Sequence, residues 1–255
     1  MKPGWLAAAL LVAVSGGGAQ AERLVVSLSS QQVAISSNFR GSAVTLFGIV
    51  ERDAQSATRA SAYDLVVTLR GPRETVTIRR KEPFGPIWLN RDQQKFAEIP
   101  ALLGIYATQP LSALVDDEFR RKTRIGIDAI IGAPDVTLDR GGSDEPFRAA
   151  LIRLKARSGL YVENGNAAAF ITDTFFRARL PLPANAPLGD YVVEAALLSQ
   201  GSVLARETAR FTVMKAGIEE QLSHAARDHS VLYGLGTAAM ALAVGWLASV
   251  IFRRD

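Results

Sequence analysis

His224 and His229 are the only imidazoles in the 255 residues, and cysteine is absent. The missing thiols remove disulfides, thiolate zinc sites, iron–sulfur clusters and cysteine nucleophiles together. Both histidines sit near the C-terminal end, five residues apart, with Glu219, Glu220 and Asp228 close by. On a helix that spacing turns the two rings about 140° from each other, whereas a helical zinc pair needs the i, i+4 spacing that puts both on one face. No histidine is available upstream to act as the base of a Ser–His–Asp triad. Carboxylate pairs such as Glu51/Asp53 and Asp144/Glu145 have nothing in their spacing that would set them across a cleft. A phosphate-cradling lysine loop, a dinucleotide glycine fingerprint and a metalloprotease signature are all missing. The expectation is a protein that is not an enzyme and holds no metal or cofactor.

Binding chemistry is better supplied. Arg79-Arg80-Lys81 and Arg120-Arg121-Lys122-Thr123-Arg124 are cation runs able to hold an anion or, facing a bilayer, anionic lipid. Each has acidic neighbours, and an ordinary solvated face gives the same pattern. Trp88, in the aromatic stretch Phe84–Asn90, reads first as a core plug, because large aromatics are more often buried than displayed; an exposed aromatic platform is the alternative. Trp88, Arg79 and Arg80 are the candidate ligand-binding residues, for a small anion. Net charge is +4, and setting aside Lys2, Arg253, Arg254 and Asp255 leaves 26 basic against 24 acidic residues. That balance argues against a nucleic-acid partner.

The elements that would position these groups begin and end with apolar runs. Lys2, the stretch Trp5–Val14 and the small residues Ala19-Gln20-Ala21 follow one another as the three regions of a signal peptide, cleaved after Ala21. Val231–Phe252 carries no charge and, as a helix, is about 33 Å long, enough to span a hydrocarbon core. Arg253 and Arg254 follow at once, so the positive-inside bias leaves the tail 253–255 in the cytoplasm and the bulk of the chain outside. Gly234, Ala238, Ala241 and Gly245 recur four apart or share that helix's small-residue face, the spacing that lets another helix, including a second copy, approach closely. An ordinary lipid-facing anchor has the same composition.

Between the ends, short β-prone runs alternate with turn residues: Leu24–Leu28, Gln32–Ile35, Ala43–Val50, and a hairpin of Tyr63–Leu69 with Thr75–Arg79 about Gly71-Pro72. Pro86 and Pro100 suit edges or bends. A helical insert is expected over about 111–160. Asp116-Asp117-Glu118 ahead of Arg120-Arg121-Lys122 suits a short helix, and Pro146–Arg157 places Phe147, Ala150, Leu151 and Leu154 on one face with Lys155 turned away. Strands return at Phe175–Leu180, Tyr191–Leu198 and Arg206–Val213. The proline-rich run 181–190 leading into Tyr191 matches the corner of immunoglobulin-like sandwiches, where a tyrosine hydroxyl bonds back to upstream backbone. The fold expected is mainly β: an immunoglobulin-like antiparallel β-sandwich with inserted helices, plus one C-terminal transmembrane helix. Residues 1–21 are the signal peptide, 22–215 the β-domain, 216–230 a juxtamembrane stalk, 231–252 the span and 253–255 the tail. One sandwich or two both fit the strand spacing.

Phe39-Arg40-Gly41 with Val44-Thr45-Leu46-Phe47-Gly48, Ile87-Trp88-Leu89-Asn90, Leu182-Pro183-Ala184 and Gly189-Asp190-Tyr191, between a signal peptide and one C-terminal span, resemble an alphaproteobacterial family of transmembrane proteins with no assigned activity. The resemblance implies a cell-envelope protein and, as partner, an integral membrane permease of the sulfite-exporter type. The function expected is that of an accessory or interaction protein anchored in the inner membrane with its β-domain in the periplasm, assisting a small-anion exporter. The alternative is a tethered periplasmic solute-binding module for a small anion.

Overall fold

In the computed structural model, residues 22–36, 38–51, 63–132, 144–216 and 230–251 are described. The expected signal peptide, the His224/His229 pair, nearly all of the stalk and the 253–255 tail lie outside them.

Strict alternation builds the first layer. Strands β1 (Arg23–Leu28), β3 (Ser42–Glu51), β9 (Ala168–Phe170) and β10 (Phe175–Leu182) form an antiparallel sheet in the order β1-β3-β10-β9. Along β10 the residues Phe176, Ala178, Leu180 and Leu182 point inward and Arg177 and Arg179 outward, as a period of two requires. Gly48 stands opposite Phe176, and a Cβ there would lie 2.2 Å from the phenyl ring. The glycine is the space into which the ring packs.

The second sheet has six strands in the order β2-β12-β11-β4-β7-β8, where β2 is Gln32–Ile35, β4 Asp64–Arg70, β7 Leu103–Ala107, β8 Tyr161–Asn164, β11 Gly189–Ser199 and β12 Ser202–Lys215. Its central strands do not alternate. Leu65–Leu69 in β4 and all five residues of β7 are buried, because the sheet is covered on both faces and such strands read as unbroken apolar runs. On one face Leu65, Leu69, Tyr191 and Phe211 meet Leu46, Phe176 and Leu180 of the smaller sheet. On the other, Val66, Ile105 and Leu198 are covered by helices α3 (Ile127–Ile131) and α4 (Asp144–Arg157) together with Ile78, Phe96 and Ile99.

Three expectations are corrected here. The large sheet is not wholly antiparallel: β2 runs parallel to β12 and β8 parallel to β7. The second pairing needs a long crossover, and the chain between β7 and β8, which carries α1 (Leu111–Leu114) and the helices after it, supplies one. The chain does not reverse at Gly71-Pro72. Gly71 N–H donates to the Leu102 carbonyl (2.8 Å) and Ala101 N–H to the Pro72 carbonyl (2.7 Å), so the β4–β7 ladder turns a corner and continues into strands β5 (Arg73–Phe84) and β6 (Ile87–Pro100). On α4, Leu154 is about half exposed while Lys155 points inward, its ammonium on Glu74 and near the Ala101 carbonyl. The buried stripe follows Phe147, Leu151 and Lys155 at i+4 steps, and an ion pair absorbs the charge at its end.

The expected tyrosine contact is present: Tyr191 Oη donates to the Pro187 carbonyl at 2.7 Å. At the C-terminal end, helix α5 (Ser230–Ile251) runs 22 residues without a charged side chain. Counted over the described residues alone, no helix is long and apolar enough to cross a membrane.

Burial pushes the Tyr191 hydroxyl well above its ordinary range, does the same to Tyr161 with help from the nearby Glu74 carboxylate, and raises Tyr106 to about 12. The folded protein therefore keeps these protons after the unfolded chain has begun losing them. Stability is complete below a pH of about 10 and falls as pH rises from there toward the folded values. Denaturant midpoints should decline above a pH of about 10; Tyr191→Phe should make that decline shallower and cost about 1 kcal/mol near neutrality through the lost bond to Pro187.

Candidate functional site

Strands β5 and β6 pair with each other alone, from Arg73↔Pro100 out to Phe84↔Ile87. The reversal is Gly85-Pro86, with Gly85 at φ +60°, a backbone that favours glycine at the first position of a two-residue turn. Near the root, one face of this ribbon belongs to the core: Ile78 and Phe96 pack with the helices, and the Arg80 guanidinium lies 5.1 Å from the centre of the Phe147 ring. Beyond that register the ribbon leaves the core.

Every described residue from Pro83 to Asn90 is exposed. Phe84 is 61%, Ile87 52%, Trp88 66% and Leu89 39% accessible. Trp88 is thus no core plug; the hairpin carries it past the last helix able to bury it. By register, Phe84 and Ile87 form one cross-strand pair and Pro83 and Trp88 the next, so apolar groups occupy both faces of the tip.

Behind the tip the two faces differ. Glu82, Arg80 and Asp92 share the core-side face, where Arg80 reaches Asp92 at 3.5 Å and Glu82 at 4.0 Å. Lys81, Arg79 and Lys95 share the outer face with Trp88, with no carboxylate in the registers between them. A bulge between Arg80 and Lys81, where β6 holds the extra Arg91, separates the two register blocks.

A second feature lies in the helical segment. Helix α2 (Asp117–Thr123) is capped by Asp116, whose carboxylate accepts from Phe119 N–H at 2.7 Å, and ends at Arg124 in the left-handed conformation. This is the acidic-start, basic-end helix the sequence predicts. Together with α3 and the start of α4 it borders a cavity of about 420 Å³ lined by Arg120, Arg121, Arg124 and Arg148 against Asp117 and Asp128. Arg120 is held by Asp117 (3.4 Å) and Glu163 (3.7 Å), and Arg148 by Glu145. Four guanidiniums and two carboxylates line the cavity, and Glu163 and Glu145 engage two of the four from outside the lining.

The three ligand-binding candidates therefore share a hairpin without sharing a pocket. Arg80 is committed to Phe147, Asp92 and Glu82, while Arg79 stands four residues from the register of Trp88, about 13 Å along the strand. Sequence reasoning missed Arg148 as a wall of the arginine cavity, because it stands 24 positions along the chain from Arg124. It also missed Phe84, Ile87 and Leu89 as companions of Trp88, although Phe84-Gly85-Pro86-Ile87 is a two-residue turn flanked by alternating residues. Gly234, Ala238, Ala241 and Gly245 are exposed along α5. Among the described residues, no group of three or more His, Cys, Asp or Glu is placed to hold a metal ion.

Over residues 23–254 the chain matches the family model described as "Putative transmembrane protein (Alph_Pro_TM)", and it belongs to that family. No curated protein matches it.

Two substitutions on one hairpin should separate its root from its tip. Phe96→Ala is expected to cost about 3–5 kcal/mol of unfolding free energy by opening a cavity against the helices. Trp88→Ala should change it by less than about 0.5 kcal/mol, because its side chain is largely exposed and lies outside the core. Chemical denaturation of both variants checks this, and a large loss for Trp88→Ala would contradict the exposed tip.

Proposed function

We propose that this member of a transmembrane family is a single-pass inner-membrane protein whose periplasmic β-domain binds rather than catalyses, acting as an accessory to an integral membrane permease. The observation that carries the reading is α5. Twenty-two residues without a charge, whose described apolar side chains such as Leu242, Val244 and Trp246 stand exposed, have no stable place in water but match a bilayer. The uninterrupted apolar run Val231–Phe252 in the sequence supports the crossing. The signal-peptide pattern of residues 1–21 and Arg253-Arg254 support a periplasmic domain and a cytoplasmic tail. The small residues Gly234, Ala238, Ala241 and Gly245 suit contact with a permease helix or a second copy.

An immunoglobulin-like class for the domain is supported by strand order. The order β1-β3-β10-β9 corresponds to A-B-E-D and β12-β11-β4-β7 to G-F-C-C′, with Tyr191 at the opening of the F strand. On that reading β5–β6 elongates the C–C′ connection and the helices fill the C′–D connection.

A second reading, a tethered module for a small anion such as a sulfur oxyanion, is favoured by the arginine cavity.

Affinity purification from native membranes should recover the same integral membrane protein with the full-length chain and lose it when residues 231–252 are replaced by an unrelated span; repeated recovery of no partner would sink the accessory reading. For the second reading, millimolar sulfate or sulfite should raise the melting temperature of the full-length protein by a few degrees, and Arg121→Ala with Arg124→Ala should abolish the shift. No shift with either anion would remove it.

A further inference from the structure

We propose that the β5–β6 hairpin is a second membrane contact, its apolar tip Phe84–Leu89 entering the interfacial region of an anionic phospholipid bilayer while Arg79, Lys81 and Lys95 engage lipid phosphates. Three observations converge on lipid rather than protein as the occupant. Apolar side chains stand on both faces of the tip, Phe84 and Ile87 on one and Pro83 and Trp88 on the other. A flat protein surface covers one face of a ribbon, whereas a bilayer surrounds whatever enters it. The tip also exposes no charged side chain between Pro83 and Asn90, so nothing ionised has to be dehydrated on entry.

Charge then segregates along the ribbon in the sense a membrane surface requires. The outer face places Lys81 one same-face step behind the Pro83/Trp88 pair, Arg79 the next, and Lys95 opposite Thr77 beyond it. These cations begin about 7 Å behind Trp88 and reach about 20 Å, the zone of headgroup phosphates when an indole sits at the boundary between headgroups and chains. Glu82 and Asp92, the acidic residues nearest the tip, lie on the other face, where Arg80 pairs with both. Tip and collar thus pair apolar matter with acyl chains and cations with phosphates.

Reach is adequate on the tether proposed above, on which this step rests. Thirteen residues separate Ala216 from Ser230, and fully extended they span up to about 45 Å. A domain of this size is about 40 Å across. Strand β12 runs out toward Lys215 at the same end of the sheet where β4 leaves for the hairpin, since Arg70 stands opposite Val192 and Val192 opposite Arg210, so the tether starts at the hairpin's end of the domain.

The test uses full-length protein reconstituted into phosphatidylethanolamine/phosphatidylglycerol vesicles, with Trp5→Phe and Trp246→Phe so that Trp88 alone reports. Expected are a blue-shifted Trp88 emission, quenching by acyl-brominated lipid at least threefold stronger than by aqueous iodide, and loss of most of that quenching in pure phosphatidylcholine or on combining Arg79→Ala, Lys81→Ala and Lys95→Ala. Solvent-like emission quenched by iodide and indifferent to brominated lipid overturns the proposal. So does a blue shift that brominated lipid cannot quench and that grows with protein density, which would place the tip against a second copy. Retention after an alkaline carbonate wash reports the tether separately. Protein that washes off argues against the span, and the hairpin is then judged by the same quenching with vesicles added, where a solvated Trp88 again overturns it.

Discussion

The six-stranded sheet has to be covered on both faces, and the rest of the molecule follows from that requirement. Its central strands β4 and β7 carry apolar side chains on each side, so one sheet of partners is insufficient. The smaller sheet closes one face with Leu46, Phe176 and Leu180. The other face has no second sheet and is closed by helices brought in on the crossover between β7 and β8 and by the root of the β5–β6 ribbon. Both insertions interrupt the chain on either side of β7, the strand whose outer face they cover.

The hairpin's behaviour is a consequence of that arrangement. Its root is core because Ile78 and Phe96 are needed to finish the helical layer; its tip is surface because the layer ends before the ribbon does. Leaving each large apolar side chain in water forfeits about 1.5–3 kcal/mol relative to burying it. Four such residues in six, on a ribbon that could have been shorter, represent several kcal/mol that folding does not recover and that association can.

Much of this architecture was legible from residue order. Alternation in Phe175–Leu182, the dipole-ordered charges of Asp117–Thr123 and the proline-led approach to Tyr191 each rest on local physics, which neighbours in sequence report faithfully. Three features depended on what lies across space. Gly71-Pro72 looks like a turn until Leu102 and Ala101 supply the bonds that carry the ladder through it. Lys155 looks like a solvent-facing lysine until Glu74 meets it from 81 residues away. Trp88 looks like core because aromatic residues usually are, and its exposure depends on where the helical layer stops.

Arg79 and Arg80 make the same point at the smallest scale. Adjacent residues on a strand face opposite ways, so one cationic pair in sequence becomes two different environments. Arg80 turns toward the core, where Phe147 takes its face and Asp92 and Glu82 its charge, and it holds the ribbon to α4. Arg79 turns outward, with Gln93 its hydrogen-bond partner at 3.4 Å, and keeps its positive charge without a carboxylate in its own register. A run of basic residues on a strand is therefore sorted by the pleat into structural and available cations, and it is the available set that shares its face with Trp88.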